Sequence, residues 1–185
     1  QAKEHEEFDR QITAELRAQS PQLADTFEQA NQARQRNDHA AAEKLYEQVF
    51  AGAPTFIHAE RRRCGELTEL ERRDEALVLC RDAVSKDPSA PNLSALAAAL
   101  LKRTRVVEPD DSDREEAVRL LSRAEGLTPE DAYIAVVQCQ AALERKNLGQ
   151  LRSCSTRLER LAPNEPSSAY SSWIVAMEDG RCDDA

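Results

Sequence analysis

Apolar residues recur along this chain at intervals of three and four, the spacing that aligns side chains on one face of an α-helix. They do so in blocks that end alike. LYEQVFAGAP closes on Pro54, LCRDAVSKDP on Pro88, LLSRAEGLTP on Pro129 and SCSTRLERLAP on Pro163, so the closing prolines stand 34, 41 and 34 residues apart. Twelve residues before each proline come Ala42, Ala76, Ala117 and Leu151; eight before it Tyr46, Cys80, Leu121 and Ser155; five before it Val49, Ala83, Ala124 and Leu158. These positions make one stripe on the second helix of each block. In the first helix a small slot falls at Ala30, Cys64, Ala98 and Cys139, where a short side chain lets two antiparallel helices approach closely.

The punctuation between the stripes agrees with helix pairs. Asn37-Asp38 and Lys146-Asn147 fall at turns, Asp113 with Glu116 reads as a capping box, and Thr128-Pro129-Glu130-Asp131 reads as a helix start. One pair cannot hide its apolar face alone, so the units must stack on one another. At the front, Phe8, Ile12 and Leu16 recur every four residues and predict an amphipathic helix over residues 1–20. It reads as a cap on the first unit, with the remnant of a preceding unit and a coiled-coil neck as alternatives. Behind the last proline, Pro166 predicts a helix through Trp173 and Met177, and Gly180 to Ala185 resembles the turn and opening of another second helix. On this reading the natural protein continues beyond 185. The expected organisation is a capping helix (1–20), four helix pairs in 21–165 (about 22–56, 57–90, 91–131 and 132–165), and the start of a further repeat or a second cap (166–185).

Composition sharpens the class. Hydrophobic residues make up 41% of the 185 and aromatic ones only 4%, with five glycines; a core of Ala and Leu suits helices and argues against sheets. The 34 acidic and 25 basic residues leave a net charge of −9, which disfavours non-specific binding to nucleic acid or anionic lipid. No run of apolar residues is long enough to span a bilayer, and the charged stretch from Gln1 to Glu7 does not resemble a secretory signal. The first residue is Gln rather than Met, which leaves a preceding leader, anchor or domain open.

Candidate chemistry is sparse. Cys64, Cys80, Cys139, Cys154 and Cys182 form no CxxC pair and leave one over, which predicts free thiols in a reducing compartment, and hence a cytoplasmic location. Cys64 and Cys80 occupy facing slots of one hairpin, so a redox pair or half a metal site is conceivable. Both slots, like that of Cys139, ask for a small buried residue, which favours packing. His5, His39 and His58 are scattered, with no HExxH, GxSxG or phosphate-loop motif nearby. The acidic run Glu108 to Asp113 lacks the Gly and terminal Glu of a calcium loop and reads as a solvated cap. The chain is therefore expected to be no enzyme, with no cofactor and no metal.

The 34-residue period, the small residue in the first helix, the turn at Asn37-Asp38, the Ala42 and Tyr46 pair and the closing Pro54 together resemble the tetratricopeptide repeat (TPR) pattern over residues 22 to 163. The third repeat departs from it by about seven extra residues around Arg105 to Ser112, and the fourth by Leu151 and Ser155. The resemblance implies an all-α, right-handed α-solenoid of antiparallel helix pairs whose first helices line a concave groove. Projected onto this register, the groove candidates are Asn31, Arg34, His58, Arg61, Asn92, Lys102, Arg103, Tyr133, Val136 and Gln140, with Tyr170 and Ile174 beyond. The early part is basic and the later part aromatic and apolar, which suits a peptide or partner segment with acidic and bulky apolar residues. Some TPR domains grip a C-terminal carboxylate; here Asn31 matches one member of that set, while Phe27, Arg62, Asn92 and Leu96 replace the others, so such a clamp is not expected. The expected function is a protein-interaction scaffold. Self-assembly, a regulatory arm of a larger protein and, less favoured, an RNA-reading helical repeat are the alternatives.

Overall fold

The computed structural model describes residues 2–180, with side chains from Glu7 onward. Ten helices and no strand occur among them: α1 (Ala2–Gln19), α2 (Pro21–Gln35), α3 (His39–Gly52), α4 (Ile57–Glu69), α5 (Arg73–Lys86), α6 (Ala90–Leu101), α7 (Asp111–Leu127), α8 (Ala132–Glu144), α9 (Leu148–Leu161) and α10 (Pro166–Glu178). The helices pair as α2 with α3, α4 with α5, α6 with α7 and α8 with α9. The described chain falls into two compact units, one of α1 to α5 with residues 102–106, the other of α6 to α10. The His5 side chain, Cys182 and the expected helix opening after Gly180 lie outside what is described.

Three of the four hairpins turn in the same way, and the sequence shows why. Asn37, Glu71 and Lys146 take φ values of 58°, 59° and 50°, each standing the same distance before its closing proline. In each turn the following amide reaches back to close the preceding helix: Asp38 to the Ala33 carbonyl, Arg72 to Leu67 and Asn147 to Ala142, all at 2.9 Å. This left-handed ending satisfies carbonyls that a helix terminus otherwise leaves bare. Asp38 and Asn147 then accept from Ala41 and Gln150 and so cap the next helix. In the third pair the extra residues replace that turn with the segment 102–110.

Two expected helix starts move. The capping box of α7 is Asp110 with Asp113, not Asp113 with Glu116, because the inserted loop lets the chain enter the helix one turn earlier. Thr128 to Glu130 close α7 and form a turn rather than opening a helix, and Asp131 caps α8 by accepting from the Tyr133 amide at 2.8 Å.

The stripe residues are the core. Ala42, Tyr46, Val49, Ala76, Cys80, Ala83, Ala117, Leu121, Ala124, Leu151, Ser155 and Leu158 are all buried; full burial of one large aliphatic side chain favours folding by roughly 1.5–3 kcal/mol. Of the first-helix slots, Ala30, Cys64 and Cys139 are buried and Ala98 is half-buried.

The cysteines overturn the expectation of free thiols. Cys64 bonds Cys80 and Cys139 bonds Cys154, each pair with its Cα atoms 5.5 Å apart, inside the range a disulfide spans. An odd count and a missing CxxC say little here, because a helical hairpin brings residues fifteen or sixteen apart face to face. Each bond staples the first helix of a pair to the second, α4 to α5 and α8 to α9.

Candidate binding surface

In the first unit the surface is built on α2 and α4. Asn31 sits in the later turns of α2, 8% exposed, and its Oδ1 accepts from the Tyr46 hydroxyl at 2.7 Å and from the Arg62 guanidinium of α4. Arg62 is itself buried; its other amino group donates to Asp9 of α1, and its guanidinium lies 4.8 Å from the centre of the Phe27 ring. A buried cation needs this kind of pairing, since an unpaired one is strongly disfavoured away from water. His58 is half-buried one turn earlier on α4, edge-on to Phe8 at 5.7 Å and to Phe56 at 5.2 Å. Burial first, then the charges of Arg61 and Arg62, lowers its pKa to about 4, so it is neutral near pH 7. Burial likewise raises the Tyr46 phenol.

Three buried carboxylates tie α4 to its neighbours α3 and α5. Glu43 of α3 accepts from Arg63 at 2.9 Å, Glu60 of α4 from Lys86 at 2.9 Å, and Glu66 of α4 meets His39 at 2.8 Å. Each joins neighbouring helices.

The remaining candidates scatter. Arg34 is exposed and Arg61 half-buried. Lys102 and Arg103, expected in the first helix of the third pair, instead lie past the end of α6 at Leu101. The long segment that follows carries them to the first unit, where Lys102 meets Glu69 at 2.7 Å. In the second unit Asn92 is buried at 2% exposure and Gln140 is half-buried, while Tyr133 and Tyr170 are 47% and 56% exposed. Val136 and Ile174 are half-buried. The Tyr170 ring stacks on Trp173 at 6.2 Å, and Met177 extends the same exposed face of α10 by one turn. Trp173 is not among the sequence candidates, although its three-residue spacing from Tyr170 marks it. Phe8 shows in the sequence only as the first member of the α1 stripe, and Asp9 and Arg62 carry no local signal, because a pairing across more than fifty residues has no spacing to read.

Among the described residues no group of three or more His, Cys, Asp or Glu side chains is placed to hold a metal ion, and no helix is long and apolar enough to cross a membrane.

No protein-family model and no curated protein matches the sequence. Solved structures do match the fold. TTC0263, a thermophilic TPR protein of Thermus thermophilus, superposes with a TM-score of 0.78 at 17% identity, covering 87% of this chain and 84% of its own. Yeast Tom70 gives 0.69 at 16% identity over 91% of this chain and 35% of its own. YrrB, described as a TPR protein with an unusual peptide-binding site, gives 0.56 at 14% identity over 91% of this chain and 84% of its own. With its paired helices, its recurring left-handed turns and these neighbours, the chain has a TPR-like fold.

Proposed function

We propose that this chain is a protein-interaction scaffold that holds a peptide or partner segment on the exposed faces of its first helices. The observation that carries this reading is the aromatic face of the second unit, where Tyr170, Trp173 and Met177 of α10 stand 56%, 46% and 45% exposed. Aromatic anchors of this kind dominate binding energy when a partner segment covers them. The basic residues of the first unit, Arg34, Arg61, Lys102 and Arg103, favour an acidic element in what that unit binds. YrrB offers a precedent for peptide binding by this fold, and that property comes to this chain only by analogy. The two disulfides remove the argument from free thiols for a cytoplasmic location and favour an oxidising compartment.

The test is affinity capture on the immobilised full chain with mass-spectrometric identification. Wild type is compared with Tyr170→Ala/Trp173→Ala and with Arg61→Glu/Lys102→Glu/Arg103→Glu, each shown to keep its helical circular dichroism. Partners held by wild type and lost by the aromatic variant support the reading. Partners retained equally by both variants overturn it.

A further inference from the structure

Helix α1 occupies an unusual place for a cap. A second helix of a hairpin covers the side of the first helices that faces away from the ligand groove of this fold, as α3 does here: Phe27 of α2 meets Tyr46 of α3 at 5.6 Å, and Leu23 crowds Gly52. α1 packs beside that contact: its Ile12 and Leu16 join the same core as Ala24, Phe27 and Tyr46, while its ion pairs to α2 lie further round the helix. Arg17 of α1 reaches Asp25 at 2.7 Å and Glu28 at 2.9 Å, and at 100° per residue Asp25 and Glu28 point away from Leu23, Phe27 and Ala30. Further along, α1 touches α4 as well, through Phe8 on His58 and Asp9 on Arg62. One helix thus lies over two consecutive first helices, on the face where the scaffold reading puts a ligand.

The contact is also built like a recognition site. The face itself presents a cationic and aromatic end, Arg62 with His58 and Phe27, and the acid that satisfies the second amino group of Arg62 comes from α1. Ile12 and Leu16 are the two aliphatic side chains that α1 buries, and Phe8 stays 39% exposed. A single extended residue, Ser20, joins α1 to α2.

We propose that α1 is an exchangeable occupant of a helix-binding face built by α2 and α4. The external partner of that face is an amphipathic helix carrying the same order of groups: an aromatic residue followed by an acid, two aliphatic residues at four-residue steps, and a base. Tethered α1 competes at high effective concentration, so a partner gains access only when α1 lifts, and the site is self-inhibited at rest. The inference rests on the scaffold reading, but it concerns a different face from the α10 aromatics, so failure here leaves the partner-capture test of α10 standing.

The probe is a fluorescently labelled peptide of residues 1–20, titrated by anisotropy into the full chain and into the full chain carrying Ile12→Glu. Hydrogen exchange reports whether α2 to α5 stay protected in the variant. The expected result is at least tenfold tighter binding to Ile12→Glu than to wild type, with α2 to α5 protected and α1 exchanging freely, and a tenfold loss when the peptide carries Asp9→Arg. Binding no tighter than to wild type, or insensitivity to Asp9→Arg, overturns the proposal. So does loss of protection in α2 to α5 together with α1, which makes α1 a fixed part of the core.

Discussion

Glu60 of α4 is fully buried, and burial first, then the neighbouring Asp82 carboxylate, raises its pKa to about 7 in spite of Lys86. A carboxyl whose folded pKa lies above its unfolded one binds its proton more tightly in the native state. Its contribution to stability is therefore complete below the unfolded pKa of about 4.5 and is lost as pH rises through 7. His58 acts in the opposite sense, contributing above its unfolded pKa near 6.5 and losing that contribution as pH falls towards 4. Replacing Glu60 with Gln removes the first slope, so the melting temperature of Glu60→Gln relative to wild type is expected to climb from pH 5 to pH 8; a constant difference would refute the assignment. Arg62 shows the other face of buried charge. Arg62→Ala strips Asn31 and Asp9 of their shared partner, and a urea titration should show a loss of roughly 3–5 kcal/mol, the range for breaking a buried pair. Neither Glu60 nor Arg62 is marked by type: a Glu or Arg on a charged helix reads as solvated until the neighbouring helices are placed.

Helix pairs are where covalent and capping effects act. Each disulfide closes a loop with a sequence separation of 16 or 15, and a loop of that length constrains the unfolded chain by about 3 kcal/mol in the chain-entropy account. Reduction, or Cys80→Ser with Cys154→Ser, is expected to lower the melting temperature by on the order of 10 °C. Non-reducing peptide mapping should recover the Cys64–Cys80 and Cys139–Cys154 cross-links, and free thiols at all four positions would overturn the pairing. At the front of α7 the side chains of Asp110 and Asp113 each accept from the other's backbone amide. Asp110→Ala should cost about 1 kcal/mol by chemical denaturation. A cost near zero would mean that the 102–110 segment finds another way into the helix. The left-handed turns at Asn37 and Lys146 were legible as turns from Asn and Asp alone. Glu71 was not, since its φ is imposed by the hairpin and not by its side chain.

Within each of the two units, most helix contacts among the described residues join helices one or two places apart in the chain, as in repeat proteins whose stability is a sum of near-neighbour terms. A core deletion should then be felt locally. Leu158 of α9 is fully buried in a cluster with Ala135, Cys139, Leu151 and Cys154, and Leu158→Ala should destabilise that cluster by about 2–5 kcal/mol. Hydrogen exchange is expected to accelerate in α8, α9 and α10 while α2 to α5 keep their protection; uniform acceleration would show one cooperative whole instead.

What the sequence determined alone is everything that repeats: the period, the pairing of helices, the buried stripe from Ala42 to Leu158, and the helix opened by Pro166. Repetition is local, because a 3.6-residue period and a capping residue act within a turn or two of the chain. The tertiary structure decided what depends on distant neighbours. It bonded Cys64 to Cys80 and Cys139 to Cys154, moved Lys102 and Arg103 off α6, and laid α1 over α2 and α4 so that Asp9 meets Arg62. Those outcomes follow from which helix faces come within a few ångströms of each other, and spacing along one helix carries no record of that.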